Sequence, residues 1–268
     1  MPFARLNDVD LFYTDEGSGP PVVLVHGWTC DSHDWSFQIG EFATRHRVVA
    51  LDLRGHGRSA LAPDGQYSQR DFATDVAALI EHLELGPVVA CGHSMGGVVV
   101  AALAVEHPRL VRGLVEVDAA YGLAPGEAAD AMVGAAHAMD QGDPVEVSLA
   151  LLGAADLPTT PPSLRVWHRR RVMGTDPGVI ARSFRGIYVG PEQFGLRPEA
   201  DAYLRRRECP VLIVTADAAR SEWEIETFRH PHSRMVSWEG SGHWLHQERW
   251  PEFNRLVLEW IDGLDHVA

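Results

Sequence analysis

Short runs of consecutive apolar residues recur along the chain: Val22-Val23-Leu24-Val25, Val48-Val49-Ala50-Leu51, Val88-Val89-Ala90-Cys91, Leu114-Val115-Glu116-Val117 and Val211-Leu212-Ile213-Val214. Most are apolar at successive positions, not alternate ones. A strand with that pattern is buried on both faces, as in a parallel sheet covered by helices. Between these runs the period changes. Ser68-Gln69-Arg70-Asp71 resembles a capping box, and Phe72, Val76, Leu79 and Leu83 follow it at helical spacing. The stretch from Gly97 to Ala104 reads as a buried helix, Arg234 to Trp238 as a further strand, and Phe253 to Ile261 as a closing helix. Strands alternating with helices predict an α/β class.

The strand–helix rhythm lapses between about Tyr121 and Asp201. This stretch holds Ala-rich helical patterns near 127–140, the turn-rich Leu157-Pro158-Thr159-Thr160-Pro161-Pro162, and the basic run Trp167-His168-Arg169-Arg170-Arg171. The expectation is a helical lid inserted between two sheet strands, because cover for a site must come from excursions beyond the strand ends. The chain then divides into a core of 1–120 and 202–268 and a cap of 121–201. The arginine run reads as a solvated helix face.

Composition narrows the partners. The 268 residues suit one large α/β domain, with 46% hydrophobic and 22% charged residues, as in an ordinary globular protein. Net charge of −14, from 23 basic and 37 acidic residues, repels nucleic acid and anionic membrane, so neither is an expected partner. Cys30, Cys91 and Cys209 match no zinc or disulfide spacing, and Cys91 and Cys209 read as buried and inert. A reducing, cytoplasmic setting is expected. No charged-then-apolar leader opens the sequence and no apolar stretch reaches spanning length.

The chemistry centres on Gly92-His93-Ser94-Met95-Gly96, between the apolar run at 88–91 and the helical run at 97–104. A serine on a sharp strand-to-helix turn, with glycine two residues to either side, is a nucleophile elbow. The turn strains the serine backbone and points the hydroxyl outward. Side chains at the flanking positions would collide with the neighbouring strand and helix. The helix N-terminus directs free N–H groups at an anion forming beside Ser94. Asp52-Leu53-Arg54-Gly55-His56-Gly57-Arg58-Ser59-Ala60 contains a Gly-x-Gly-x-x-Ala match, but loop residues and not a helix follow it, so nucleotide binding is rejected. No metal-ligand spacing is present, so neither metal nor cofactor is expected.

With Val25-His26-Gly27-Trp28, the 52–59 run, Gly92-His93-Ser94-Met95-Gly96-Gly97 and Gly240-Ser241-Gly242-His243 in this order, the chain resembles the α/β-hydrolase superfamily over nearly its whole length. The resemblance implies an eight-stranded, mostly parallel sheet flanked by helices, an inserted helical cap, and a triad in the chain order Ser, acid, His. Ser94 is then the nucleophile and His243 the base. The oxyanion donors are the backbone N–H groups of Trp28 and Met95. The acid departs from pattern. A familiar form is Gly-x-x-Asp after the strand at 211–214, but Thr215-Ala216-Asp217-Ala218-Ala219 puts Ala219 where the acid should stand. Asp217 could serve from a re-shaped loop. Asp118, after the strand at 114–117, is preferred, because some branches of the superfamily, including certain haloalkane dehalogenases and the cofactor-independent 2,4-dioxygenases, carry the acid there. Glu222 and Glu224 are weaker candidates. The implied function is a serine hydrolase acting on a small ester or lactone. Cofactor-independent dioxygenase, C–C bond hydrolase, perhydrolase and non-enzymatic receptor are the alternatives.

Overall fold

The computed structural model describes residues 2–63 and 65–264, without the side chains of 218–221. Its centre is an eight-stranded sheet: β1 (Phe3–Leu6), β2 (Val9–Gly17), β3 (Pro21–Val25), β4 (Arg47–Leu51), β5 (Val88–His93), β6 (Val111–Val117), β7 (Val211–Thr215) and β8 (Arg234–Ser237). The spatial order is β1-β2-β4-β3-β5-β6-β7-β8. β1–β2 and β2–β4 pair antiparallel; every other pairing is parallel. The sheet expected from the sequence is present. β1 and β2 are additions to the sequence reading, and both lie outside its continuous apolar runs.

The reason those runs are continuous is visible in how successive residues part. Val23 and Val25 of β3, Val88 and Ala90 of β5, and Val211 and Ile213 of β7 enter one apolar cluster. Val22 and Leu24, Val89 and Cys91, and Leu212 and Val214 enter a second. The first cluster lies beneath α2 (Gln69–His82) and α3 (Met95–Glu106), and the second beneath α11 (Trp250–Leu264) and α1 (Ser36–Phe42). Every residue from Met95 to Val105 is buried, so α3 is the central helix of the fold. At the start of α2 the capping box forms as expected: Ser68 accepts from Asp71 N–H while Asp71 accepts from Ser68 N–H.

Between β6 and β7 the chain leaves the sheet for α4 (Glu127–Gln141), α5 (Pro144–Ala154), α6 (Pro162–Gly174), α7 (Pro177–Tyr188) and α8 (Glu199–Leu204). α9 (Ala218–Ile225) follows β7, and the short α10 (Leu245–Glu248) precedes α11. One expectation is corrected here. The basic run is only partly a solvated face, because α6 turns Leu164, His168, Arg171 and Val172 inward at helical spacing. Arg171 is buried in ion pairs with Asp31 and Asp34, while Arg169 and Arg170 stay exposed. Among the described residues no helix is long and apolar enough to cross a membrane.

Leu103, fully buried in α3, gives a direct check on this core. Leu103→Ala is expected to lower unfolding stability by about 2–5 kcal/mol, read as a shifted urea midpoint at constant slope.

Candidate active site

Ser94 follows β5 and makes the turn into α3 with φ +53, a left-handed backbone that a non-glycine residue enters only under constraint. The constraints are local and dense. A Cβ on Gly92 would lie 2.1 Å from the Gly96 carbonyl oxygen, and one on Gly96 would lie 2.2 Å from that of Val25. Glycine at both positions therefore lets strand, turn and helix approach this closely. β6 clamps the turn from the other side: Ser94 N–H donates to Val117 O at 2.9 Å, and Ala120 N–H to Ser94 O at 3.2 Å. As the first residue of α3, Met95 has no intrahelical acceptor for its amide.

Asp118 follows β6, also at positive φ. Its backbone N–H donates to Val214 O at 2.8 Å, and its Oδ1 accepts from Thr215 Oγ1 at 3.0 Å and Ala216 N–H at 3.3 Å. These contacts with the end of β7 aim Oδ2 at His243, whose Nδ1 lies 2.6 Å away. The His243 loop is tethered in turn: Gly242 N–H donates to Glu248 Oε2 at 2.7 Å. A neutral imidazole with its proton on Nδ1, toward the carboxylate, presents Nε2 as a base.

The structure places the alternative acids elsewhere. Asp217 is exposed, with its N–H donating to Thr215 Oγ1 at 3.1 Å. Glu222 is exposed. Glu224 is buried against the Tyr121 hydroxyl, in a cluster where Arg207 pairs with Glu116 at 2.6 Å. The side chain of Ala219 lies outside the described residues.

Ser94, Asp118, His243 and Trp28 line one cavity of about 410 Å³. Much of its remaining wall is apolar and comes from the insertion, including Met132, Leu151, Leu152, Phe184 and Ile187. The Trp28 indole donates to Ile180 O and Ser183 Oγ, both at 3.1 Å, and packs on Phe184. It thus joins the core loop to α7. Among the described residues the Trp28 amide has no acceptor. A second cleft, about 740 Å³, opens between Thr29–His33 and α6, away from Ser94. The glycine-rich run after β4 is a structural turn: Asp52 accepts from the backbone of Ser32 and Arg58, and a Cβ on Gly57 would strike Asp52 Oδ2 at 2.3 Å.

Sequence reading passed over Asp34 and His93. Asp34 lies in a short 3-10 turn, Ser32–Trp35, capped by Asp31. It is fully buried, as is His93, whose Nδ1 lies 3.1 Å from Asp34 Oδ2. His246 completes a group whose potential metal-ligating atoms lie within 4.8 Å of one another. The donors already on Asp34 argue against a cation there: Arg171 at 3.2 Å and Gln247 Nε2 at 2.7 Å both face Oδ1. The buried charge of Arg171 would repel a metal ion. Only position on the elbow could have drawn attention to His93, and no local motif marks Asp34.

The comparisons agree with this architecture. A family model described as the alpha/beta hydrolase fold matches residues 20–145. The chain is 44% identical over 109 residues to a non-heme haloperoxidase of Rhodococcus erythropolis, covering 40% of this chain and 39% of that protein. It is 36% identical over 137 residues to the (E)-2-((N-methylformamido)methylene)succinate hydrolase of Acinetobacter baylyi, covering 51% of each. The matched segment thus spans about half or less of these curated relatives. A thermophilic esterase from Thermogutta terrifontis superimposes with TM-score 0.77 at 27% identity, over 96% of this chain and 94% of that one.

Burial pushes the imidazole of His56 down to about 3 and that of His168 down to about 4. The unfolded chain takes up these protons near pH 6.5, at about the unperturbed histidine value. Between about pH 6.5 and 4 the unfolded state therefore binds more protons, and stability falls as pH falls; above about pH 7 these groups contribute a constant amount. Urea midpoints followed by tryptophan fluorescence should be flat from about pH 7 to 8 and fall below about pH 6. A midpoint unchanged down to about pH 4.5 would contradict burial of neutral imidazoles.

Proposed function

Because the chain belongs to the α/β-hydrolase superfamily, we propose that it is a serine hydrolase cleaving a small carboxylic ester or lactone through an acyl-enzyme on Ser94. The observation that carries this reading is the Asp118 carboxylate seated on His243 Nδ1 at 2.6 Å, at the wall of the cavity that also holds Ser94. His243 takes the Ser94 proton as the hydroxyl attacks the carbonyl carbon. Asp118 holds the ring in orientation and stabilises the imidazolium that forms. The amides of Trp28 and Met95 receive the oxyanion. His243 then protonates the leaving alkoxide and activates water to release the acid.

Residues 121–201 act as the cap and 1–120 with 202–268 as the catalytic core in this reading. The cap supplies the apolar wall against which a small-molecule substrate is held. The three cysteines are free thiols, in keeping with a reducing compartment such as the cytoplasm. The relatives' names span haloperoxidase, succinate-derivative hydrolase and esterase, which supports hydrolase chemistry as a class.

A second reading is favoured by one observation: the acid on His243 follows β6, not β7. The cofactor-independent dioxygenases that the Ser94, Asp118 and His243 arrangement resembles use histidine with aspartate to deprotonate an organic substrate that reacts with O₂. No acyl-serine is needed there.

Labelling separates the two. Under the hydrolase reading, a fluorophosphonate probe labels Ser94, and Ser94→Ala abolishes both labelling and p-nitrophenyl acetate hydrolysis. Ser94→Ala turning over that ester at the parental rate would rule the reading out. Asp118→Asn should lower kcat by roughly 10³–10⁴, the loss expected of a triad acid, while Asp217→Asn stays within about threefold. The reverse ranking would make Asp217 the acid.

A further inference from the structure

One carboxylate outside the proposed triad contacts both the loop that carries Trp28 and the His93 ring that packs against His243. Asp34 Oδ2 accepts Gly27 N–H at 3.1 Å. Gly27 precedes Trp28, so this bond fixes the peptide on one side of Gly27 Cα while the Trp28 amide is carried on the other. The same oxygen lies 3.1 Å from His93 Nδ1, and His93 Nε2 lies 3.0 Å from the His243 carbonyl oxygen. A Cβ on Gly27 would lie 2.8 Å from His93 Nδ1, so loop and ring are pressed together with no slack. On the far side Oδ1 faces Arg171 of α6 at 3.2 Å and the amide nitrogen of Gln247 at 2.7 Å. Asp34, His93 and Gln247 are all buried.

We propose that Asp34 is a positioning residue: its Oδ2 accepts from Gly27 N–H and faces the His93 ring packed between this loop and His243, so that the Trp28 amide and the His243 loop stay at a fixed separation before substrate arrives. The inference rests on the hydrolase reading above. Asp34 touches no reacting atom and acts through Gly27 and His93. Both of its oxygens face obligate donors, which gives the position a sharp chemical requirement. An asparagine of the same shape must turn an NH₂ either toward Gly27 N–H or toward Arg171 and Gln247, and in each orientation a buried donor faces a donor. The Arg171 charge holds the amide oxygen on its own side, so the NH₂ turns toward Gly27, the loop loses its acceptor and the Trp28 N–H drifts from the oxyanion position. Preorganised donors stabilise the transition state only when they are already in place, and the ground-state ester needs them far less.

The test is a KM-against-kcat comparison with p-nitrophenyl butyrate, on full-length variants shown folded by circular dichroism. Asp34→Asn is expected to lower kcat by about 10²-fold, near the loss of one oxyanion donor, with KM changed by less than about threefold. The rate of fluorophosphonate labelling at Ser94 should fall in parallel. Arg171→Met removes the charged partner of Oδ1 and leaves the Oδ2 contacts; it should lower the melting temperature yet keep kcat within about threefold. If Asp34→Asn fails to fold, Gly27→Ala replaces it, since its methyl pushes the same loop off His93, and the same kcat loss is expected. Folded Asp34→Asn or Gly27→Ala with kcat within about threefold of the parent overturns the proposal. Equal kcat losses in Asp34→Asn and Arg171→Met also overturn it, because the effect is then general loosening. A parent enzyme that neither turns over the ester nor labels at Ser94 instead defeats the hydrolase reading on which the inference rests.

Discussion

The left-handed turn at Ser94 is the constraint around which the rest of the site is arranged. A residue with a side chain resists φ +53, so the surroundings must over-determine it. They do so by contact and by hydrogen bonding. Gly92 and Gly96 remove the side chains that would separate strand from helix; the end of β6 supplies the acceptor for the Ser94 amide, and Ala120, just beyond it, donates to the Ser94 carbonyl. α3, buried along nearly its whole length, anchors the turn to the core. The same clamp carries Asp118, because the segment that bonds Ser94 runs directly into it. Ser94 and Asp118 are therefore positioned by one piece of backbone, and His243 meets Asp118 from a loop that Glu248 holds, at the wall of the cavity that Ser94 also lines.

Two separate polar systems serve the two ends of His243. Asp118 addresses the ring from the cavity side, where both groups are partly exposed. Asp34 and His93 address its backbone from the interior, where no exposed surface remains. The division has a physical logic. In the proposed mechanism the group that changes charge sits at the cavity wall, partly exposed. The groups proposed to fix distance are buried, where a low dielectric makes each hydrogen bond strong and an unsatisfied partner costly. Arg171 extends the interior system to α6, so the insertion is tied to the core by a buried ion pair as well as by the Trp28 indole on α7.

Much of this was legible in the chain. Consecutive apolar residues at 22–25, 88–91 and 211–214 imply strands covered on both faces, and alternate residues do part into two clusters. The elbow and the histidine loop were marked by glycine spacing. β1 and β2 were missed because this antiparallel pair does not carry the doubly buried pattern; only Ala4 of β1 and Val9, Leu11 and Phe12 of β2 are buried, and the second half of β2 is exposed or half-buried. The arginine run was read as solvated because charge is normally exposed, and a sequence does not show that Asp31 and Asp34 wait opposite Arg171, 140 and 137 residues away.

The sequence by itself determined strands β3 to β8, the strained turn and the residue types a hydrolase site would need, because those follow from local sterics and from hydrophobic periodicity. Which acid faces His243 was decided only by tertiary structure. Asp118 and Asp217 both stand just beyond a strand end, and neighbours in sequence do not distinguish them. The pairing of β6 with β7 does: it sets Asp118 against Thr215 and Ala216, turns its Oδ2 toward the histidine, and leaves Asp217 facing outward.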